Sequence, residues 1–122
     1  MHAKVETISR SFDKELRNIL SYWEQYSVDD IHGGFVGQRD HSNKLVSNAT
    51  KGIILNSRIL WSFSAACNHF QSSEYFELSK RSFEYLNENF RDHRHKGVYW
   101  ELDQMGNVIN DRKQIYAQAF MI

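Results

Sequence analysis

Proline is absent from all 122 residues. Because proline removes a backbone donor and breaks helix interiors, its absence suits long uninterrupted helices. A single cysteine, Cys67, excludes an internal disulfide. A reducing, cytoplasmic setting is the simpler expectation. Net charge is also absent, with 15 Lys and Arg against 15 Asp and Glu. No run of basic residues supplies the electrostatic footprint that phosphate binding requires, which argues against nucleic acid as a partner. No apolar stretch approaches the length of a membrane span, and the N-terminal MHAKVETISRSFDKELRNIL is charged throughout. That start lacks the apolar centre of a signal peptide. What remains is the size of one small domain.

Helical periodicity fills most of this length. Val5, Ile8, Phe12, Leu16, Ile19, Leu20 and Trp23 recur at three- and four-residue steps, predicting a helix over about 5–25 with one apolar stripe. Gly33, Gly34 and Asn43 then break the period, and short alternating pieces around Phe35 and Leu45 predict a small hairpin or irregular loop. Residues 51–69 return to helix, apolar over much of the circumference. Ser72 or Ser73 can cap a third helix running to about residue 90, with Glu74 and Glu77 near its positive end. Phe76, Phe83, Leu86 and Phe90 form its expected buried stripe. HKGVYWELDQMGNVIN reads as a second hairpin turning at Met105-Gly106-Asn107. A fourth helix is expected from about Asp111, still running at Ile122 with an apolar Phe-Met-Ile tail and no cap. The expectation is therefore the N-terminal portion of a longer protein.

The sequence also repeats. HGGFVGQRDHSNKLVSNATKGIILNSRIL overlies HKGVYWELDQMGNVINDRKQIYAQAFMI, matching Gly34 to Gly97, Asp40 to Asp103, Leu45 to Val108 and Lys51 to Lys113, with one residue of slippage. Each unit is helix, hairpin loop, helix, at a spacing of about sixty residues.

One feature of the second helix calls for explanation: Arg58 sits within the otherwise apolar KGIILNSRILWSF. At about 100° per residue, its face carries Lys51, Ile54, Leu55, Ser62, Ala65 and His69, with Trp61 at the edge. Ile53, Leu60, Phe63 and Cys67 lie opposite. Such a polar strip fits either solvent or a lined cavity, and for one helix in isolation solvent is the simpler reading. The repeat changes the balance, since it carries Ile54 onto Tyr116 and Arg58 onto Phe120. Trp61, Tyr116 and Phe120 with a guanidinium offer flat apolar faces and hydroxyl or cationic donors, a combination suited to a carbohydrate or other polyol.

The histidines point elsewhere. His2, His32, His41, His93 and His95 fall in expected tails or loops, and His69 closes the second helix. The His93-x-His95 pair lacks the further ligands of a recognised metal site, so no metal is expected. Gly33-Gly34 lacks the context of a phosphate-binding loop. Cys67, on the packing face, reads as a small core residue.

At these residues the chain resembles a known family. GGFVGQRD, KGIILNSRILWSFSAA, YLNENF, KGVYWELDQMGNVIN and KQIYAQAF are together similar to the N-terminal part of the N-acylglucosamine 2-epimerase family, and within it to the cellobiose 2-epimerases. The resemblance implies an all-α fold: helical hairpins of an (α/α)6 barrel, incomplete and about the first third, with short β-hairpin loops. Residues 1–122 would be the N-terminal portion of one barrel domain. The helices at 5–25 and 73–90 would be outer, and those at 51–69 and from 111 inner. It further implies a cofactor-free sugar 2-epimerase interconverting glucose and mannose at the reducing end of a disaccharide such as cellobiose. By resemblance Arg58 stabilises the ene-diolate and binds substrate, Tyr116 helps hold the sugar, and Phe120 is a wall residue.

In the family the acid/base histidines lie on later inner helices, so this segment alone is expected to be inactive. Its open barrel edge implies exposed apolar surface and self-association. Other members sharing the pattern act as N-acylglucosamine 2-epimerases or as mannose or sulfoquinovose aldose–ketose isomerases. Two further classes stay open. A barrel-shaped glycoside hydrolase or lyase would need paired inner carboxylates, which do not appear in this third. A non-catalytic helical repeat module would need no chemistry at all.

Overall fold

The computed structural model describes residues 1–122. A long helix, α1 (His2–Ser27), leads through a looped segment to strand β1 (Lys51–Gly52) and helix α2 (Ile53–Phe70). Helix α3 (Ser73–Tyr85) continues as a π-helical turn over Leu86–Phe90, and strands β2 (Glu101–Leu102) and β3 (Val108–Asn110) precede a short helix, α4 (Ile115–Ala119). No helix is long and apolar enough to cross a membrane. The strands form one antiparallel sheet in the order β1-β2-β3, with Lys51 opposite Leu102 and a bulge where β2 meets β3. The sheet fixes the entry of α2 against the hairpin of the following unit.

Local chemistry explains several boundaries. Gln71, at φ 52°, ends α2 in the left-handed conformation. Ser72 caps α3, its Oγ accepting from the Tyr75 amide at 3.3 Å. The hairpin turns at the expected place: the Asp103 amide donates to Asn107 O, and Gly106 takes φ 95°.

The predicted repeat is present in the backbone bond for bond. In the first unit the Asp29 amide donates to Gly34 O and the Gly33 amide to Asp29 O; in the second, Asp92 donates to Gly97 O and Lys96 to Asp92 O. Asp29 Oδ1 accepts from the Ile31 and His32 amides, as Asp92 Oδ1 does from Arg94 and His95. Lys51 Nζ donates to Asp29 Oδ2 and Gly33 O, both at 2.8 Å; Lys113 Nζ donates to Asp92 Oδ2 at 2.6 Å and to Lys96 O. Each unit thus ties the loop after its first helix to the residue just ahead of its second.

Three expectations need correction. The fourth helix starts at Ile115, not near Asp111, because Asn110 is still paired with Glu101 and Lys113 is drawn back to Asp92. Lys51 lies not on the Arg58 face of a helix but in β1, 1% exposed and paired with Asp29. The buried side of α3 is rotated by about one residue. Tyr75, Ser82 and Tyr85 are buried, whereas Phe76 and Phe83 are exposed; Leu86 and Phe90 of the expected stripe are buried. Ser82 decides this orientation, since its small side chain admits α2 closely enough for Oγ to donate to Asn56 O at 3.3 Å.

Two cores result. Leu20, Phe35, Ile59, Phe63, Ala66 and Tyr75 form the first; Ile53, Tyr85, Leu86, Phe90, Val98, Leu102 and Ala117 form the second. Cys67 packs at the margin of the first, as a small core residue would. Most of the α1 stripe is not in either core: Val5, Ile8, Phe12, Leu16 and Ile19 are exposed.

Gly34 holds the joint between the units. A Cβ there would stand 2.6–2.7 Å from the Tyr85 ring, at φ 64°. Gly34→Ala combines overpacking with left-handed strain and is expected to cost about 2–4 kcal/mol, read from the urea midpoint. Gly52→Ala is the control, since nothing lies within 4 Å of its Cβ position. An equal loss in both variants would refute the assigned role of Gly34.

Candidate functional site

Helix α2 turns its small and apolar residues inward, burying Ile53, Asn56, Ser57, Ile59, Phe63 and Ala66. Arg58, Trp61 and Ser62 therefore fall on the outward-facing strip. Helix α4 approaches this strip from the second unit. Gln118 anchors it, Nε2 donating to Val98 O at 2.9 Å and Oε1 accepting from the Val98 amide at 2.8 Å. Lys113 secures the segment just ahead of it through Asp92. Between the helices lies an open concavity of about 380 Å³, lined by Ser57, Arg58, Trp61, Ser62 and Phe120.

Within it the Arg58 guanidinium sits 5.1 Å from the centre of the Phe120 ring, within cation–π range. Phe120 in turn meets Tyr116 edge to face, with ring centres 5.0 Å apart and planes at 74°. No salt bridge engages Arg58. A planar fork of donors therefore faces an open cavity beside aromatic surfaces, uncommitted to any carboxylate of the chain.

The structure thus sets Arg58 beside Phe120 and Phe120 against Tyr116, which does not itself line the concavity; Trp61 and Ser62, on the Arg58 side of the helix in the sequence as well, complete the wall. Ser57 also reaches the concavity, and its hydroxyl donates to Ile54 O at 3.0 Å. None of the six histidines lines this concavity. His32 and His95 stand beside Asp29 and Asp92, at 3.7 and 3.4 Å, as repeat-related neighbours. His69 Nε2 contacts Asp13 Oδ1, and His93 Nε2 contacts Asn87 O, both at 2.8 Å.

The two Asp–Lys ties shift the carboxylates they hold. Burial pushes the Asp29 carboxyl up, but the Lys51 ammonium and the His32 and Ile31 amides outweigh it, leaving the group below the ordinary carboxylate value. The Lys113 ammonium and the His95 amide hold Asp92 far lower still. Tyr85, between the two units, is pushed up to about 12 by burial and by the negative Asp29 and Asp103. The repeat in the sequence matches Lys51 to Lys113 but does not disclose their carboxylate partners, although both loops begin with aspartate, in DDIHGG and DHRHKG.

Repeated helix pairs, each opening through a β-hairpin loop toward an arginine- and aromatic-lined wall, make this a segment of an (α/α)6 barrel. The match that defines its relationships covers residues 16–122 and is to the model of N-acylglucosamine 2-epimerase (GlcNAc 2-epimerase). The chain belongs to that family. It is 42% identical over 118 residues to the cellobiose 2-epimerase of Bacteroides fragilis, covering 96% of this chain and 30% of the relative. The solved cellobiose 2-epimerase of Bacillus thermoamylovorans superposes with a TM-score of 0.81 at 37% identity, over 91% of this chain and 30% of that one. A solved D-mannose isomerase shares the fold, at a TM-score of 0.79 and 19% identity, over 89% of this chain and 28% of that one. The chain thus spans about 30% of the length of the curated relatives it matches.

Proposed function

We propose that this chain is the N-terminal portion of a single-domain sugar 2-epimerase, and that the whole protein interconverts glucose and mannose at the reducing end of a disaccharide such as cellobiose. The observation that carries this reading is Arg58 beside Phe120 in an open concavity, within a chain 42% identical to a cellobiose 2-epimerase. The reaction removes the proton at C2, alpha to the open-chain aldehyde, and returns one to the opposite face. No net electron transfer occurs, so the balance needs no redox partner.

The proton on C2 becomes removable as its electron pair delocalises into the aldehyde, giving an ene-diolate. Arg58 is suited to that charge because it stays protonated and offers parallel donors to neighbouring oxygens. Phe120 and Trp61 provide faces for sugar C–H surfaces, and the Tyr116 hydroxyl can hold a ring or chain oxygen. The proton-transfer groups belong to the part of the barrel beyond residue 122, and the 122-residue chain alone does not turn over substrate. Two positioned groups with pKa values near operating pH would serve, histidine above all.

Incubating the full-length protein with cellobiose tests this reading. Glucosyl-mannose is the expected product; glucosyl-fructose would mean that the ene-diolate is reprotonated at C1, making the enzyme an aldose–ketose isomerase. Recovery of unchanged cellobiose, N-acylglucosamine and mannose would sink the epimerase assignment.

A further inference from the structure

The direction in which α4 points its aromatic residues is set by a side chain on its far side. Gln118 lies about 200° around the helix from both Tyr116 and Phe120. Its carboxamide clasps a single residue of the preceding loop, donating to Val98 O at 2.9 Å and accepting from the Val98 amide at 2.8 Å. Val98 is buried, and the clasp satisfies both of its backbone groups. Two bonds to one residue fix rotation as well as distance, since a single bond would leave the helix free to roll about it. The loop has room for this amide because residue 97 is glycine: at φ 77°, a Cβ there would stand 2.7 Å from Gln118 Oε1. Gln118 O also accepts from the Met121 amide at 3.1 Å, so the turn that carries Phe120 begins on the clasped residue.

The repeat shows that the clasp is not a general property of the fold. The alignment that carries Lys51 onto Lys113 carries Asn56 onto Gln118. Asn56 is one methylene shorter, and its Nδ2 turns back to Gly52 O at 2.8 Å, just ahead of its own helix. Two positions further on, the same alignment sets Arg58 against Phe120, whose ring centre lies 5.1 Å from the guanidinium. The two units therefore differ at the clasp and at the wall together. One presents a cation, and the other presents a ring held to meet it.

We propose that Gln118 is a positioning residue for the sugar wall: by clasping Val98 it sets the rotation of α4 and keeps the Phe120 ring against the Arg58 guanidinium. It takes no part in lining the concavity itself and acts through Phe120. Released from the clasp, α4 turns, and the flat face offered to sugar C–H surfaces loses its alignment. The consequence for substrate binding rests on the epimerase reading given above, whereas the consequence for the ring does not.

Both consequences are read in the full-length protein. The nuclear magnetic resonance signal of the Arg58 Nε–H, assigned by its loss in Arg58→Lys, senses the ring current of Phe120. Phe120→Leu removes that current and defines the unperturbed position. Gln118→Met, which keeps length and bulk but has no amide, is expected to move the signal most of the way there. Gln118→Asn keeps the amide but falls a methylene short, and is expected to do the same; it decides the matter if the methionine variant does not fold by circular dichroism. A signal that stays at the wild-type position in a folded Gln118 variant overturns the proposal, whatever the protein turns over. Failure of both variants to fold also overturns it, because Gln118 is then a residue of stability rather than of position. With cellobiose, each Gln118 variant is expected to raise KM about three- to tenfold with little change in kcat, and to add nothing to the effect of Phe120→Leu. Effects that multiply in the double variant place Gln118 outside the Phe120 contact and overturn the proposal. Absence of cellobiose turnover in the wild type defeats the epimerase reading alone, and the resonance position still decides the role of Gln118.

Discussion

Replacing Lys51 by methionine is expected to destabilise the chain by about 3–5 kcal/mol, because it leaves a buried carboxylate without its counter-charge. Asp29 is buried and Lys51 more so, and the ammonium also satisfies Gly33 O. The Asp29 Oδ1 bonds to the Ile31 and His32 amides survive the change, but Oδ2 loses its ammonium. Adding Asp29→Asn should recover much of the loss, since the cost is the unpaired charge more than the absent contact. Lys113→Met, in the second unit, should cost less because water reaches its side chain and can take over part of its role. Urea midpoints of the four proteins at neutral pH provide the comparison. A loss in Lys113→Met equal to or larger than that in Lys51→Met would overturn the account.

The sign of the pH dependence gives a second reading of the same pair. Asp29 titrates in the folded chain below its ordinary value, so its contribution is fully present above the unfolded carboxylate pKa of about 3.9. That contribution is lost as pH falls through the lower, folded value. In Lys51→Met the ammonium no longer offsets burial, so the carboxyl protonates more readily. The stability gap between wild type and Lys51→Met should therefore narrow as pH drops from 7 toward 3. A gap that is constant with pH would mean that packing, not charge, sets the effect.

What sequence alone could reveal here follows from the range of each interaction. The helices, the Ser72 cap and the turn at Gly106 are set by neighbours a few positions apart, and each was readable. Asp29 and Lys51, by contrast, are separated by 22 positions and meet only after the loop has folded. Extending the α2 period backward put Lys51 on the Arg58 face, although the sheet interrupts the helix before it reaches that residue. The phase of α3 shows the same limit. Tyr75 with Ser82 and Phe76 with Phe83 are both spaced by seven, so periodicity admits either stripe. The surface of α2 makes the choice, favouring the small Ser82 over the larger phenylalanine pair. The nearness of Arg58 and Phe120 was legible for a different reason: the repeat superimposed the two helices and so reported on a tertiary neighbour that neither helix reveals by itself.

Arg58→Ala in the full-length protein is expected to lower kcat/KM for cellobiose epimerisation by about 10²–10³-fold, the range for losing one preorganised donor to a developing oxyanion. Folding should be untouched, since Arg58 is exposed and makes no salt bridge in this segment. Its ring contact with Phe120 accounts for a small change at most. The division between kcat and KM then states what the guanidinium does. A fall confined to kcat means that it meets charge present only in the transition state; a rise confined to KM means that it grips the ground-state sugar. Arg58→Lys should recover only part of the lost rate, because an ammonium retains the charge but not the planar pair of donors that fits adjacent oxygens. Phe120→Leu, which keeps apolar bulk and removes the flat face, should act mainly through KM. Near-normal turnover by Arg58→Ala, with the fold intact, would remove Arg58 from the reaction and leave its position beside Phe120 a feature of packing.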